Sequence, residues 1–590
     1  MWAASLLLTL IALAPAGANA QNLIINDLNQ HRQSIAYEIP DAEGRAQAIR
    51  YIEMVRDRFA PGTEIVDALN LDDDALRAKL KGTVAIYTVL REDSRLLRLA
   101  SRGLPLRLEN GILHWGGRAE PTADLRVVFA GRQPYGEGFS VVYAAGTNAL
   151  LADAHKVFHG PCSYHIFRGA GEGHLLGEGF YGPNFVEAPT RLPLAAAAAD
   201  MREFFSTVES AHPNPYAKIS KDAYEKVKKQ TFAELPMRAA ADGTIAIKDL
   251  AYSLMYAAAA LQDGHTGVLW RPAGMTSGLS RGKRFPPFWL ESENGRIFIA
   301  SAADRSLTGA EMLEVNGQSA GEFLKPVLSR IAAESHTYRV WLFTCDQLAW
   351  YYLTNVFGRD SYTLTLRDRS GATRQRPIQT VSLSSFQMLA RPRGGGAERR
   401  IEFLDSGRIA KLIIPNLLYD ADRRKTEEFF DRAFGQIHDK GATRLIIDIR
   451  GNGGGDSRMG DYVLQFLRGA GPSTATHFNG KTYLLIDHSV FSSAVMFAGA
   501  FRDYKVGTLV GYESGGTPSH YGYPRNFTLK NSGIAFRVSR THFQSATPRP
   551  DDDRHGVLPD IPITRELLAP YQSEPDPALA FTLAAIRKGH

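Results

Sequence analysis

In the last third of the chain, continuous apolar runs alternate with segments of helical periodicity. Ile409–Leu417 and Leu445–Arg450 read as buried strands flanking a helix over Arg424–Lys440, and a helix over Ala494–Tyr504 precedes a strand over Thr508–Gly511. Strands that are apolar on both faces and separated by helices predict a sheet covered by helices. Upstream the period changes. Phe204, Phe205 and Val208, then Tyr224 and Val227, recur at helical spacing, and His212-Pro213-Asn214-Pro215 separates two helices. Ser220 is placed to cap the second of them. An alanine-rich helix over Met255–Leu261 ends in Gln262-Asp263-Gly264-His265-Thr266-Gly267, followed by a strand at Val268-Leu269-Trp270. Residues 285–375 are strand-rich, and Val315-Asn316-Gly317 marks a tight turn before a short helix from Ala320. The amphipathic segment Pro326–Phe357 extends that region. Nearer the N-terminus, Leu125–Gly131 and Phe139–Gly146 read as strands of a small α/β unit.

Two junctions in the last third carry candidate chemistry. Leu445–Gly455 is a buried strand running into a glycine-rich turn, and Thr482–Tyr504 is a second strand leading into a helix that opens with Ser492 and Ser493. A serine at a helix start lies among backbone N–H groups that have no intrahelical partner. It serves either as a cap or as a nucleophile beside an anion-stabilising hole. Gly453-Gly454-Gly455 favours the second role, because glycine lets backbone approach a reacting carbonyl without a Cβ.

Composition narrows the class. The chain of 590 residues is 44% hydrophobic and 22% charged, the balance of an ordinary globular protein. Its length implies roughly three or four domains. Sixty-eight Lys+Arg against 62 Asp+Glu leave +6, with no basic block interleaved with aromatics, so nucleic acid is not an expected partner. Leu6–Leu13 followed by Pro15, Gly17 and Ala18-Asn19-Ala20 reads as an export signal, although no Lys or Arg precedes it. Its apolar run falls short of the ~20 residues a membrane span needs. Cys162 and Cys345 cannot define a zinc site or a disulfide framework, and two buried thiols are expected.

Residues from about Phe204 to Thr564 resemble the S41 peptidases, the tail-specific processing and tricorn-core proteases. Asp448, Arg450, Asn452, Gly454 and Gly455 match the family's D-x-R-x-N-x-G-G turn. Phe491–Val495 matches its nucleophile segment, with Val495 replacing the usual Glu, and Gly556-Val557-Leu558-Pro559-Asp560 matches its G-V-x-P-D signature. The resemblance implies a multidomain α/β protein with a crotonase-like α/β catalytic core over 400–590. It also implies a PDZ-like module with a helical insertion over 285–390 and a helical segment carrying a catalytic histidine over 194–275. An extra N-terminal α/β domain of unassigned role occupies 21–190, after a signal peptide over 1–20.

The base divides the family. The tail-specific branch places a lysine in a glycine-rich strand end after the serine, and the position here is Thr517; Lys505 and Lys530 do not match it. The tricorn-like branch uses a histidine, in many members within D-G-H-T, which stands here as Asp263-Gly264-His265-Thr266. His265 is therefore the expected general base, suited by a pKa near neutrality, with His488 and His520 as competitors. The resemblance implies an orienting carboxylate at Asp553, three residues before Gly556, with Glu513 as its rival. Ser492 would attack the scissile carbonyl, and the N–H groups of Gly454 and Ser493 would hold the oxyanion. The reading is an exported serine peptidase, periplasmic or extracellular, acting on peptides or proteins without metal or organic cofactor. The alternatives are a catalytically silent peptide- or ligand-binding protein on the same fold, and a hydrolase of non-peptide esters or amides. Oligomeric state is open.

Overall fold

A computed structural model describes residues 32–588, apart from 61, 155–162, 172, 180, 182–189, 270–284, 346–360, 382–397, 421–422 and 470–476, together with Ile25 and Leu28. The export signal, Cys162, Trp270 and most of the Gly/Arg-rich stretch Ala390–Arg400 lie outside the described residues. Among those described, no helix is long and apolar enough to cross a membrane.

The N-terminal unit is a seven-stranded mixed sheet with its own core. Leu125–Arg132 and Phe139–Ala145, the two strands expected there, pair antiparallel. Phe139–Ala145, Thr83–Val89, Arg32–Glu38 and Ile65–Asp67 continue the sheet in parallel. Three helices follow, Leu194–Ala211, Lys221–Met237 and Ile247–Ala259, the second capped by the Ser220 side chain, which accepts from the Ala223 N–H. Their apolar faces share a core with Leu529, Ile534, Phe536 and Val538. This core ties the helices to a hairpin of the C-terminal domain. It places the loop after Ile247–Ala259 against that domain, more than two hundred residues away in sequence.

Residues 285–381 form an antiparallel sheet of Phe288–Glu293, Arg296–Ala302, Glu311–Val315, Ser361–Arg367 and Thr373–Gln379. The Asn316-Gly317 turn has φ of 53° and 79°, the left-handed pair that a two-residue hairpin requires. Helices Ala320–Leu328 and His336–Cys345 pack on this unit, the second lying within the segment expected as an insertion.

The C-terminal domain is built on a sheet in the order Arg400–Leu404, Ile409–Ile413, Arg444–Asp448, Lys481–Ile486, Thr508–Gly511, Ile561–Pro562. All neighbours after the first antiparallel pair run parallel. Helices Arg423–Asp439, Ser457–Arg468 and Ser493–Asp503 cover one face around Leu445, Ile447, Leu484 and Ile486, and Pro577–Arg587 packs on the other. In such sheets the strand ends open into the crevice where ligands bind. Here the ends of Arg444–Asp448 and Lys481–Ile486 carry the glycine turn and the serine pair.

Candidate active site

The glycine turn is held by its own motif residues. Arg450 makes two hydrogen bonds to Asp448 at 2.8 and 2.6 Å and two to Asp576 at 2.9 and 2.7 Å, tying the strand end to the last helix. The Asn452 side chain donates to the Ile414 carbonyl and accepts from the Gly454 N–H, each at 2.9 Å, while its carbonyl accepts from the Phe491 N–H. Both glycines are obligatory. A Cβ on Gly455 would stand 2.3 Å from the Leu417 carbonyl oxygen, and one on Gly454 would stand 2.7 Å from Ser492 Cβ and 3.0 Å from Ser493 N.

Ser492 occupies the N-cap position of Ser493–Asp503 but makes no capping hydrogen bond. Its φ of 54° and ψ of −128° are strained for a residue with a Cβ, and such strain clusters where a side chain must be aimed. The Oγ lies 3.0 Å from Nε2 of His265, across 227 positions of sequence. The Ser493 hydroxyl donates to the Gly455 carbonyl at 2.7 Å, and the Ser493 N–H has no hydrogen-bond partner among the described residues. The Gly454 N–H, expected to serve the oxyanion beside it, is instead engaged by Asn452 Oδ1.

His265 sits in a stack of nearly parallel rings. Its imidazole lies 4.5 Å from Phe491 on one face and 5.3 Å from His520 on the other; Phe491 in turn stacks on Tyr338, and Tyr338 on Trp341. Burial, with the neighbouring His520 and Arg537, pushes the His265 pKa well below its ordinary value, so the ring is neutral at neutral pH. With Nε2 accepting from Ser492, Nδ1 carries the hydrogen, and it is buried on the side of the Tyr521 backbone carbonyl. Burial likewise lowers His520 to about 4. The His520 Nδ1–H donates to the Thr517 carbonyl at 2.9 Å, and the Thr517 hydroxyl donates to the Ser519 carbonyl. The position where a lysine base would stand is thus a buried, hydrogen-bonded threonine.

Asp263 fixes the loop that presents His265. Its Oδ1 accepts from the His265 backbone N–H at 2.8 Å; its Oδ2 accepts from His212 Nε2 at 3.0 Å, Thr266 Oγ1 at 2.5 Å and Ser539 Oγ at 2.7 Å. The tautomer of His212 follows from geometry, since its Nδ1 accepts from the Asn214 N–H and its Nε2 therefore donates. Burial alone would raise the Asp263 pKa; these hydrogen bonds and the nearby imidazoles outweigh it and bring it to about 2.

The other predicted residues lie elsewhere. Asp553 pairs with Lys218 Nζ at 2.6 Å and is half exposed, so a lysine and not the imidazole neutralises it. Glu513 accepts from the Gly556 N–H at 2.8 Å and pins the G-V-L-P-D segment to the sheet, as does the Asp560 carboxylate by accepting from Leu509 N–H. His488 donates through Nδ1 to the Glu513 carbonyl. Val495 is fully buried in the helix core. Sequence reasoning quoted Asp263 within its motif without giving it a role, and it missed Glu334. Asp263, His265 and Glu334 each bring a polar atom within 4.8 Å of the others. In this set the Asp263 oxygens already serve four donors and His265 Nε2 faces Ser492.

Residues 408–563 match the profile of peptidase family S41. This portion of the chain belongs to that family, and the protein is a serine-type hydrolase. Among curated proteins no sequence is similar enough to match. Among solved structures, the photosystem II D1 C-terminal processing protease is 15% identical, with 63% of this chain and 94% of that one covered at a TM-score of 0.34. Mature CPAF complexed with lactacystin is 13% identical over 62% and 94% of the two chains, at 0.42. The tricorn protease is 14% identical over 72% and 39%, at 0.33. At these scores the likeness is coarse, and the family assignment rests on the sequence match.

Proposed function

We propose that the protein is an exported peptidase that cleaves peptide bonds through an acyl-enzyme on Ser492, with His265 as general base. The observation that carries this reading is the 3.0 Å contact between Ser492 Oγ and His265 Nε2, made by a serine that forgoes its cap and holds a strained backbone. The hydroxyl proton passes to Nε2 as Oγ attacks the carbonyl carbon, and the imidazolium returns it to the leaving amine nitrogen. Water then repeats the sequence to release the acyl group. A neutral, buried imidazole is ready to accept the proton, and the ionised Asp263 favours the cation that forms.

The Ser493 N–H holds the oxyanion. Gly454 contributes chiefly by its missing Cβ, which leaves the space in front of that donor open; its own N–H joins only when Asn452 releases it. The six-stranded antiparallel unit with its Asn-Gly turn is read as the PDZ-like module and the C-terminal sheet as the crotonase-like core. Export follows from the N-terminal leader pattern. The test is labelling with a fluorophosphonate serine probe. Wild type labels, while Ser492→Ala and His265→Ala do not; labelling that persists in Ser492→Ala removes the nucleophile from this serine.

A further inference from the structure

One buried polar atom beside the reacting pair has no hydrogen-bond partner among the described residues: Glu334 Oε2. Glu334 precedes helix His336–Cys345, seventy positions beyond the loop it touches, and its Oε1 accepts from the Gly264 N–H at 3.1 Å. Its other oxygen lies over Gly264, where a Cβ would meet it at 2.8 Å and the Phe491 ring at 2.9 Å. A side chain at Gly264 would therefore separate Glu334 from the stack that holds the imidazole. The carboxyl also borders a cavity of about 170 Å³ shared with Asp263 and His520, roomy enough to admit water and exchange protons.

We propose that Glu334 is the positioning carboxyl of His265, taking the place that neither Asp553 nor Glu513 reaches. This rests on the reading of Ser492 and His265 as nucleophile and base. The charged and titratable groups facing Glu334 are Asp263 and His265 from the loop, Lys218 from the connection between the first two helices, Arg537 from the adjoining strand, and Arg339 from the helix that follows it. His520, His542 and Asp553 complete the far wall of the cavity. Burial, with the charge of Asp263 beside it, raises the Glu334 pKa to about 8 against the pull of the cations. Below that pH the carboxyl is neutral and serves only to hold Gly264. Above it, a carboxylate stands within reach of the imidazole, raises its affinity for the Ser492 proton and stabilises the imidazolium.

The consequence is an alkaline limb in serine reactivity that belongs to residue 334. Fluorophosphonate labelling rates are measured from pH 6 to pH 10 on the full chain. Wild type is expected to accelerate by about three- to tenfold through a midpoint near 8. Glu334→Gln keeps an oxygen for the Gly264 N–H but cannot ionise, so its rate stays at the low-pH value across the range. Glu334→Asp restores a limb, which a purely structural role does not require. A limb that persists unchanged in Glu334→Gln, or a wild-type rate that is flat between pH 7 and 9, overturns the proposal; the second needs no variant to fold. Failure of the underlying reading is distinct, because then Ser492→Ala and His265→Ala label like wild type at every pH.

Discussion

Replacing Asp263 by Asn changes one buried atom and removes one charge, yet it strikes the loop that carries the base. The carboxylate oxygens accept from the His265 backbone N–H and from His212, Thr266 and Ser539, and the group is almost wholly buried. Lowering its pKa from 3.8 to about 2 means that the folded state prefers the ionised form. That preference is worth about 2 kcal/mol at neutral pH. The amide costs more than this, because its NH₂ must face either three donors or one, leaving buried donors without an acceptor. Breaking such a network typically costs about 3–5 kcal/mol.

For a unit of this size, that predicts a melting transition lowered by about 6–15 °C, read by scanning calorimetry. The sign with pH is fixed as well. A depressed folded pKa contributes stability above the unfolded value near 3.8 and loses it as pH falls toward 2, so the gap between variant and wild type closes over that window. Probe labelling of Ser492 should fall with stability, since Asp263 Oδ1 holds the backbone of His265 itself. An Asp263→Asn protein that melts within about 2 °C of wild type and labels at the same rate would refute the claim that this carboxylate holds the base loop.

Gly454→Ala is expected to abolish labelling while leaving the melting temperature of the N-terminal sheet unchanged. Its Cβ would sit 2.7 Å from Ser492 Cβ and 3.0 Å from Ser493 N at a φ of 106°, so full activity in this variant would place the oxyanion site elsewhere. In Glu334→Gln, where no limb near 8 is expected, the acid limb of labelling should fall well below pH 6.5, because burial keeps His265 neutral and a base acts only above its own pKa; a midpoint at or above 6.5 in that variant contradicts the assignment.

The sequence made the paired serine and histidine legible for different reasons. Ser492 stands where an apolar strand turns into a helix, a junction that periodicity alone locates, but periodicity could not separate a cap from a nucleophile. The backbone angles argue against the cap, since a capping serine adopts an extended φ and turns its oxygen to the helix N–H groups, which Ser492 does not. His265 was legible because Thr517 could not serve as a base and D-G-H-T could. The core shared by the three upstream helices and the Leu529–Val538 hairpin is what converts that inference into contact.

The carboxyl proposed to support the imidazole was not legible, and the reason is electrostatic. Counting back from Gly556 finds a carboxylate at Asp553, but counting cannot see that Lys218 arrives from 335 positions away and takes it. The carboxyl that does lie beside the imidazole comes from a segment with no motif, ahead of a helix whose Tyr338 extends the ring stack behind Phe491. A buried Glu with an oxygen left over has no signature in a sequence, because what defines it is the absence of neighbours able to bond it. The glycine in D-G-H-T is the one trace it leaves, since any larger residue there would fill the space between Glu334 and Phe491.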